Sequence, residues 1–324
     1  MKLEVEAESW PLVKPFRITR ETIVASEVIR VTLVDGPHRG RGEGAGVPYR
    51  GEDCGAMIGA IEAVRPTIER GIGRPALQGL LPPGGARNAL DCALWDLEAK
   101  CRGTDIWSLL ELSPRPLSTV YSVGIDRPVA MAAEALAHAA WPLLKVKAGI
   151  GDTIEQLSAI RAARPGVRLI VDANQGWTIE ALTELAGPLA ALGVEMIEQP
   201  LPAGADEGLL DFDCPLPLCA DESCQTTDDL PALVGKYDMI NIKLDKTGGL
   251  SAALELANAA RAAGLGLMVG NMLGTSLAMA PGFVIGQMCR YVDLDGPLLQ
   301  QDDRDHAIDY RGAEIAGFSP LLWG

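Results

Sequence analysis

The chain has no run of lysines or arginines: 28 basic residues are scattered among 43 acidic ones, for a formal net charge of −15. Nucleic acid and anionic membrane surfaces demand a basic footprint, so neither is expected as a partner. There is also no C-x-x-C pair. The seven cysteines, odd in number, read as reduced cytosolic thiols. Cys214, Cys219 and Cys224 are evenly spaced but match no common zinc pattern, and Cys219 lies in an apolar run where a thiol packs as a small hydrophobe. The opening Met1-Lys2-Leu3-Glu4-Val5-Glu6 alternates like a strand and lacks the apolar core of a signal peptide, so a cytoplasmic location is expected. Residues 263–289 carry no charge over a length that could span a bilayer. Gly264, Gly266, Gly270, Asn271, Gly274, Pro281 and Gly282 interrupt that stretch, which divides better into a strand, a loop and a buried helix. The histidines, His38, His138 and His306, fall at no predicted strand end, so histidine chemistry is not expected.

With 324 residues and 48% hydrophobic composition, the chain can bury a large core, and one large domain plus a smaller one is the natural expectation. Residues 1–7 and 28–34 read as strands, and 54–70 and 86–100 as helices separated by Pro82-Pro83-Gly84-Gly85, which together make an α+β unit over 1–112. Ser113-Pro114-Arg115-Pro116 is the linker candidate, because paired prolines disfavour helix on either side. Beyond it, strands are predicted at 119–123, 143–147, 169–172, 196–198, 218–221, 239–243, 267–270 and 291–295. Ala- and Leu-rich segments of helical period lie between them, such as 154–163, 179–192 and 250–263. The fold class is therefore α/β: a (β/α)8-type, modified TIM barrel over 113–299. The tail 300–324 is expected to return to the first unit.

Five consecutive strands end in charge. Lys145-Val146-Lys147 closes the second, Asp172 the third, Glu198 the fourth, Asp221 the fifth and Lys243 the sixth, roughly 22 to 26 residues apart, the period of one strand plus one helix. Barrel chemistry collects at the C-terminal strand ends. Each acid alone reads as a solvated rim residue. Three on adjacent strands would repel one another unless a cation were present, and oxygen-only ligation favours Mg²⁺. Strands two and six lie across the mouth, so Lys147 and Lys243 face each other. A lysine beside a dication and a second ammonium, for which Lys145 is the candidate, is expected to have a lowered pKa. Two bases on opposite faces of a carbon, with a metal holding its carboxylate, suit inversion of a stereocentre through an enediolate.

These residues resemble the enolase superfamily, in its muconate-lactonizing-type branch with Lys-x-Lys on the second strand and Lys on the sixth. Within that branch the chain is similar to the dipeptide epimerases. The resemblance runs through 86–96 (ARNALDCALWD), the Lys145 motif, Asp172-Ala173-Asn174, Glu198-Gln199-Pro200-Leu201, Ala220-Asp221-Glu222-Ser223, Asn241-Ile242-Lys243 with Gly248-Gly249, and Asp293-Leu294-Asp295. It implies Mg²⁺ on Asp172, Glu198 and Asp221, Lys147 and Lys243 as the acid/base pair, and a capping domain whose segments 15–25 and 46–54 close over the barrel. It also implies that Asp293 and Asp295 pair with the ammonium of a dipeptide and that Arg20 meets the side chain of a C-terminal glutamate, with Lys145 bonding a substrate oxygen. The substrate expected is L-Ala-D/L-Glu or a similar dipeptide, as in recycling of cell-wall peptides. N-acylamino acid racemase, o-succinylbenzoate synthase, a cycloisomerase or a non-catalytic barrel are the competing readings. A homo-oligomer is left open.

Overall fold

Side chains alternate across a strand, so every strand of a barrel sends each second residue inward. The computed structural model of the protein describes every residue except Arg20 and Ile150. In it the barrel strands are Tyr121–Val123, Leu143–Lys147, Arg168–Asp172, Val194–Glu198, Leu218–Ala220, Met239–Lys243, Gly266–Gly270 and Tyr291–Val292. They form one 8-stranded sheet in chain order, with parallel pairing throughout. The sheet curls until its edges meet, where Val120 N donates to Val292 O at 2.9 Å. All eight strands stand where the alternation predicts them.

One residue from each strand region fills the bottom of the barrel: Val120, Leu143, Ile170, Met196, Cys219, Met239, Met268 and Tyr291, a buried cluster separate from the rest of the core. Cys219 thus packs as the small hydrophobe expected of it. The larger core lies outside the sheet, between strands and helices such as Thr153–Ala163, Ile179–Ala191 and Leu250–Ala262. No helix among the described residues is long and apolar enough to cross a membrane.

The N-terminal unit is a three-stranded antiparallel sheet, Lys2–Arg17, Thr22–Asp35 and His38–Ala45, packed on helices Cys54–Glu69 and Gly85–Cys101. The first two strands extend well past the predicted 1–7 and 28–34, and the third was not predicted. Its sequence, HRGRGEGA, has no apolar alternation. Its glycines are there for contact: a Cβ on Gly40, Gly42 or Gly44 would lie 2.2, 2.1 or 2.3 Å from the carbonyl oxygens of Ala93, Ala89 and Gly85. The strand lies directly on the helix backbone, which only glycine permits. The chain's end returns to this helix, with Trp323 Nε1 donating to Cys92 O at 2.9 Å and Gly324 N to Asp96 Oδ1 at 2.8 Å.

The apolar plug carries the polar layer above it, so truncating it should be costly. Ile170→Ala is expected to lower unfolding free energy by about 2–5 kcal/mol in urea titration, whereas the volume-conserving Met196→Leu should cost less than about 1.5 kcal/mol.

Candidate active site

Two residues beyond the plug, the inward positions change character: Ser122, Lys145, Asp172, Glu198, Asp221, Asn241 and Asp293, all buried. A further step up the same faces brings Lys147, Lys243 and Asp295. The predicted residues of the second to sixth strands and of 293–295 are therefore assembled at one end of the barrel. Arg20 lies outside the described residues.

Lys145 is the hub of this layer. Its Nζ lies 2.8 Å from Asp293 Oδ2, 2.8 Å from Glu198 Oε2 and 3.1 Å from Asp172 Oδ2. Lys147 Nζ donates to Asp172 Oδ2 at 2.6 Å, and Lys243 Nζ to Asp221 Oδ2 at 2.8 Å. Each acid is thus met by an ammonium group. Burial opposes ionisation of Asp172, but Lys147 and Lys145 override it and hold the carboxyl at about 2. Burial is likewise overcome at Asp221, which Lys243, Lys246 and Lys145 keep far below the usual carboxylate range. Glu198 goes the other way. Burial and then the Asp172 charge push it up to about 7 against the pull of Lys145.

The protein's own acids act on the lysines in the opposite sense to a dication. Burial and Lys145 disfavour the charge on Lys243, yet Asp221 together with Glu198 and Glu222 outweighs them, so its pKa is raised. Lys145 is raised too, by Asp293, Glu198 and Asp172 in that order, against its burial. A lowered lysine requires a dication to outweigh these acids.

Asp172, Glu198 and Asp221 fit such a cation by chemistry. They are buried carboxylates on adjacent strands, Asp172 and Glu198 are register partners, and oxygen donors suit Mg²⁺. Among the described residues Glu198 Oε2 accepts no hydrogen bond, and it is ion-paired to Lys145 Nζ. The three are not gathered into a cage here: among the described residues no group of three His, Cys, Asp or Glu is placed to hold a metal, because each acid is turned to a lysine.

Above them opens a cavity of about 370 Å³. Lys147, Lys243 and Asp221 line it from below and Asp293 and Asp295 from one side, while Phe16, Ile18 and Tyr49 reach it from the N-terminal unit. Burial and the neighbouring Asp293 push Asp295 up to about 8. Asp293 is lowered, its burial overcome by Lys145. The two carboxyls are thus driven in opposite directions, and Asp295 Oδ2 also accepts from Ser122 N at 2.6 Å.

Three supporting residues were not assigned roles from the sequence. Lys246, buried, donates to Asp221 Oδ1 at 2.7 Å, to Asn241 O at 3.0 Å and to Asp221 O. Its one sequence signal is its place a helical turn after Lys243. Asn241 Nδ2 donates to Glu198 Oε1 at 2.8 Å. Gln199, at φ +36°, ties two strand ends together: its Oε1 accepts from Asp221 N and Ser223 N at 2.9 and 3.0 Å, and its Nε2 donates to Ser223 Oγ, Tyr237 OH and Leu201 O. A non-glycine residue in that region is strained and persists only where its surroundings fix it.

Residues 1–111 match the mandelate racemase / muconate lactonizing enzyme N-terminal domain, and residues 128–316 match the enolase C-terminal domain-like family. The chain belongs to the enolase superfamily. It is an enzyme of the isomerase class. A relative from Escherichia coli (strain K12), named L-Ala-D/L-Glu epimerase, is 44% identical over 316 residues, 97% of this chain and 98% of that one. One from Pseudoalteromonas sp, named N-acetyl-D-glutamate racemase, is 48% identical over 75% of this chain and 78% of its own. An enolase family member from Agrobacterium tumefaciens with homology to dipeptide epimerases, solved with sodium and L-Ala-L-Glu, superimposes with a TM-score of 0.97 at 42% identity, over 99% of each chain.

Removing Lys145 from this enolase-superfamily barrel leaves Glu198 and Asp293 in a buried layer without their ammonium partner, while Asp172 keeps Lys147. Lys145→Met should cost about 3–5 kcal/mol in urea titration at pH 8. Its stranded acids have raised pKa values in the folded state and take up protons as pH falls, so the deficit should shrink by pH 5.

Proposed function

We propose that this isomerase is a Mg²⁺-dependent dipeptide epimerase that inverts the α-carbon of the C-terminal residue of L-Ala-D/L-Glu or a similar dipeptide by two-base proton transfer. The observation that carries the reading is the placement of Lys147 and Lys243 in one cavity, from strands four steps apart, with the Asp293–Asp295 pair on a third side.

Bound at Asp172, Glu198 and Asp221, Mg²⁺, which the superfamily uses with a Lys or His base, would supply positive charge to the substrate carboxylate as the α-proton leaves. The protein's residues divide the rest. One of Lys147 and Lys243, in its neutral form, takes the proton from one face, and the other, already protonated, returns one to the opposite face. Lys145, buried beneath the cavity, neutralises Asp293 and Glu198 and keeps this layer in place. Asp293 and Asp295 pair with the substrate ammonium, whose charge favours ionisation of both carboxyls. Phe16, Ile18 and Tyr49 cover the cavity from the N-terminal unit and exclude water. Arg20 is assigned to the glutamate side chain. The name of the E. coli relative and the dipeptide in the A. tumefaciens neighbour support this substrate, and with it a role in cytoplasmic recycling of cell-wall peptides.

The Pseudoalteromonas relative gives a second reading, racemisation of an N-acylated amino acid. An N-acetyl group carries no charge for Asp293 and Asp295 to meet, which favours the dipeptide.

Proton NMR in D₂O with Mg²⁺ decides between them. L-Ala-L-Glu should lose its glutamyl Cα-proton signal while the L-Ala-D-Glu diastereomer accumulates, with N-acetylglutamate exchanging far more slowly. Faster exchange of N-acetylglutamate would reverse the assignment, and no exchange across a dipeptide panel would end it. Lys147→Ala and Lys243→Ala should each abolish epimerisation, and full epimerisation by either variant would refute the two-base scheme.

A further inference from the structure

The helix Gly85–Cys101 belongs to the N-terminal unit, yet several of its polar side chains are buried against the short helix Leu244–Thr247 that begins immediately after Lys243. Arg87 Nη2 donates to Thr247 O at 2.6 Å and its Nε to Gly248 O at 3.2 Å. Asn88 Nδ2 donates to Asp245 Oδ1 at 2.7 Å, and the same oxygen accepts Ala45 N at 2.9 Å. Asp91 Oδ2 accepts from Ser251 N at 2.9 Å. Residues 87, 88 and 91 share one face of the helix, the neighbours that helical geometry brings together.

The contact leaves no slack. Gly248 and Gly249 both have positive φ, at 82° and 115°, and a Cβ on them would lie 2.3 Å from Arg87 Nε and 2.4 Å from Asp91 Cβ. This explains the Gly248-Gly249 pair, which follows the lysine strand without any phosphate-loop pattern. On its inner side the same turn presents Lys243 to Asp221 Oδ2 and Lys246 to Asp221 Oδ1. On its outer side Asp245, between those lysines in sequence, is held by Asn88 and Ala45.

We infer that Asp245, clamped by Asn88 and Ala45, is a positioning residue that sets Lys243 from the N-terminal unit; on the far side of the cavity that unit reaches the Lys147 strand end by a different and longer contact, Thr19 Oγ1 to Ala148 O at 3.3 Å. The inference rests on the two-lysine reading above. Burial pushes Asp245 up to about 7, so a neutral side chain with the same accepting oxygen should serve in its place.

Exchange of the Cα proton in D₂O, measured separately for L-Ala-L-Glu and L-Ala-D-Glu, isolates each lysine, and Lys147→Ala and Lys243→Ala establish which diastereomer each one serves. Asp245→Ala should depress exchange of the Lys243-served diastereomer by about 10–100-fold relative to the other, the scale of a misplaced catalytic group. Asn88→Ala should shift the ratio the same way, and Asp245→Asn should restore it. Equal loss for both diastereomers, or a shift toward the Lys147→Ala pattern, would overturn the inference.

Trace acetylation by acetic anhydride, read by peptide mass spectrometry, needs no substrate. Labelling of Lys243 relative to Lys147 should change several-fold in Asp245→Ala and return in Asp245→Asn, and an unchanged ratio would likewise overturn the clamp. If wild type exchanges neither dipeptide, the epimerase reading fails, while the labelling ratio still decides the clamp.

Discussion

Carboxylates buried at one end of a barrel repel one another, and their proximity is sustained only by cations placed among them. Lys145 meets that constraint for Asp172, Glu198 and Asp293 together, while Lys147, Lys243 and Lys246 serve Asp172 and Asp221 from the flanks. Charge is left imperfectly matched in two places. Glu198 is pushed up to about 7 and Asp295 up to about 8. The proposed function assigns added positive charge to these two groups, a metal ion beside Glu198 and a substrate ammonium beside Asp295.

Everything around this layer serves to hold it. The apolar plug beneath supplies a dry floor on which ion pairs are stronger than in water. Gln199 fixes the fourth strand end against the fifth, and the strand-end bonds from Ala173 N to Glu198 O and from Gln175 N to Gln199 O fix the third against the fourth. The N-terminal unit contributes more than a roof. Its helix reaches the turn after Lys243, and its hairpin and the loop at Tyr49 reach the cavity from above.

The eight barrel strands were legible as apolar runs alternating with helical segments, and the second to sixth also close on charged residues, which inward alternation then places together. What escaped was information carried by contact rather than by pattern. The strand His38–Ala45 has glycines where alternation would show apolar side chains, since its partner is a helix backbone. Lys246 closes no strand, and it is the short helix Leu244–Thr247 that turns it inward onto Asp221. The acids beside Lys145 and Lys243 raise both lysines against burial, a balance of distances that sequence does not contain.

In the proposed function the acids of the third, fourth and fifth strands take a divalent cation in place of some of their lysine contacts. Calorimetric titration of Mg²⁺ into the wild-type protein and into Glu198→Gln tests it without substrate. Saturable binding of one ion per chain is expected in the wild type, weakened at least about tenfold in the variant. No uptake by the wild type at millimolar Mg²⁺, or equal affinity in Glu198→Gln, would contradict it.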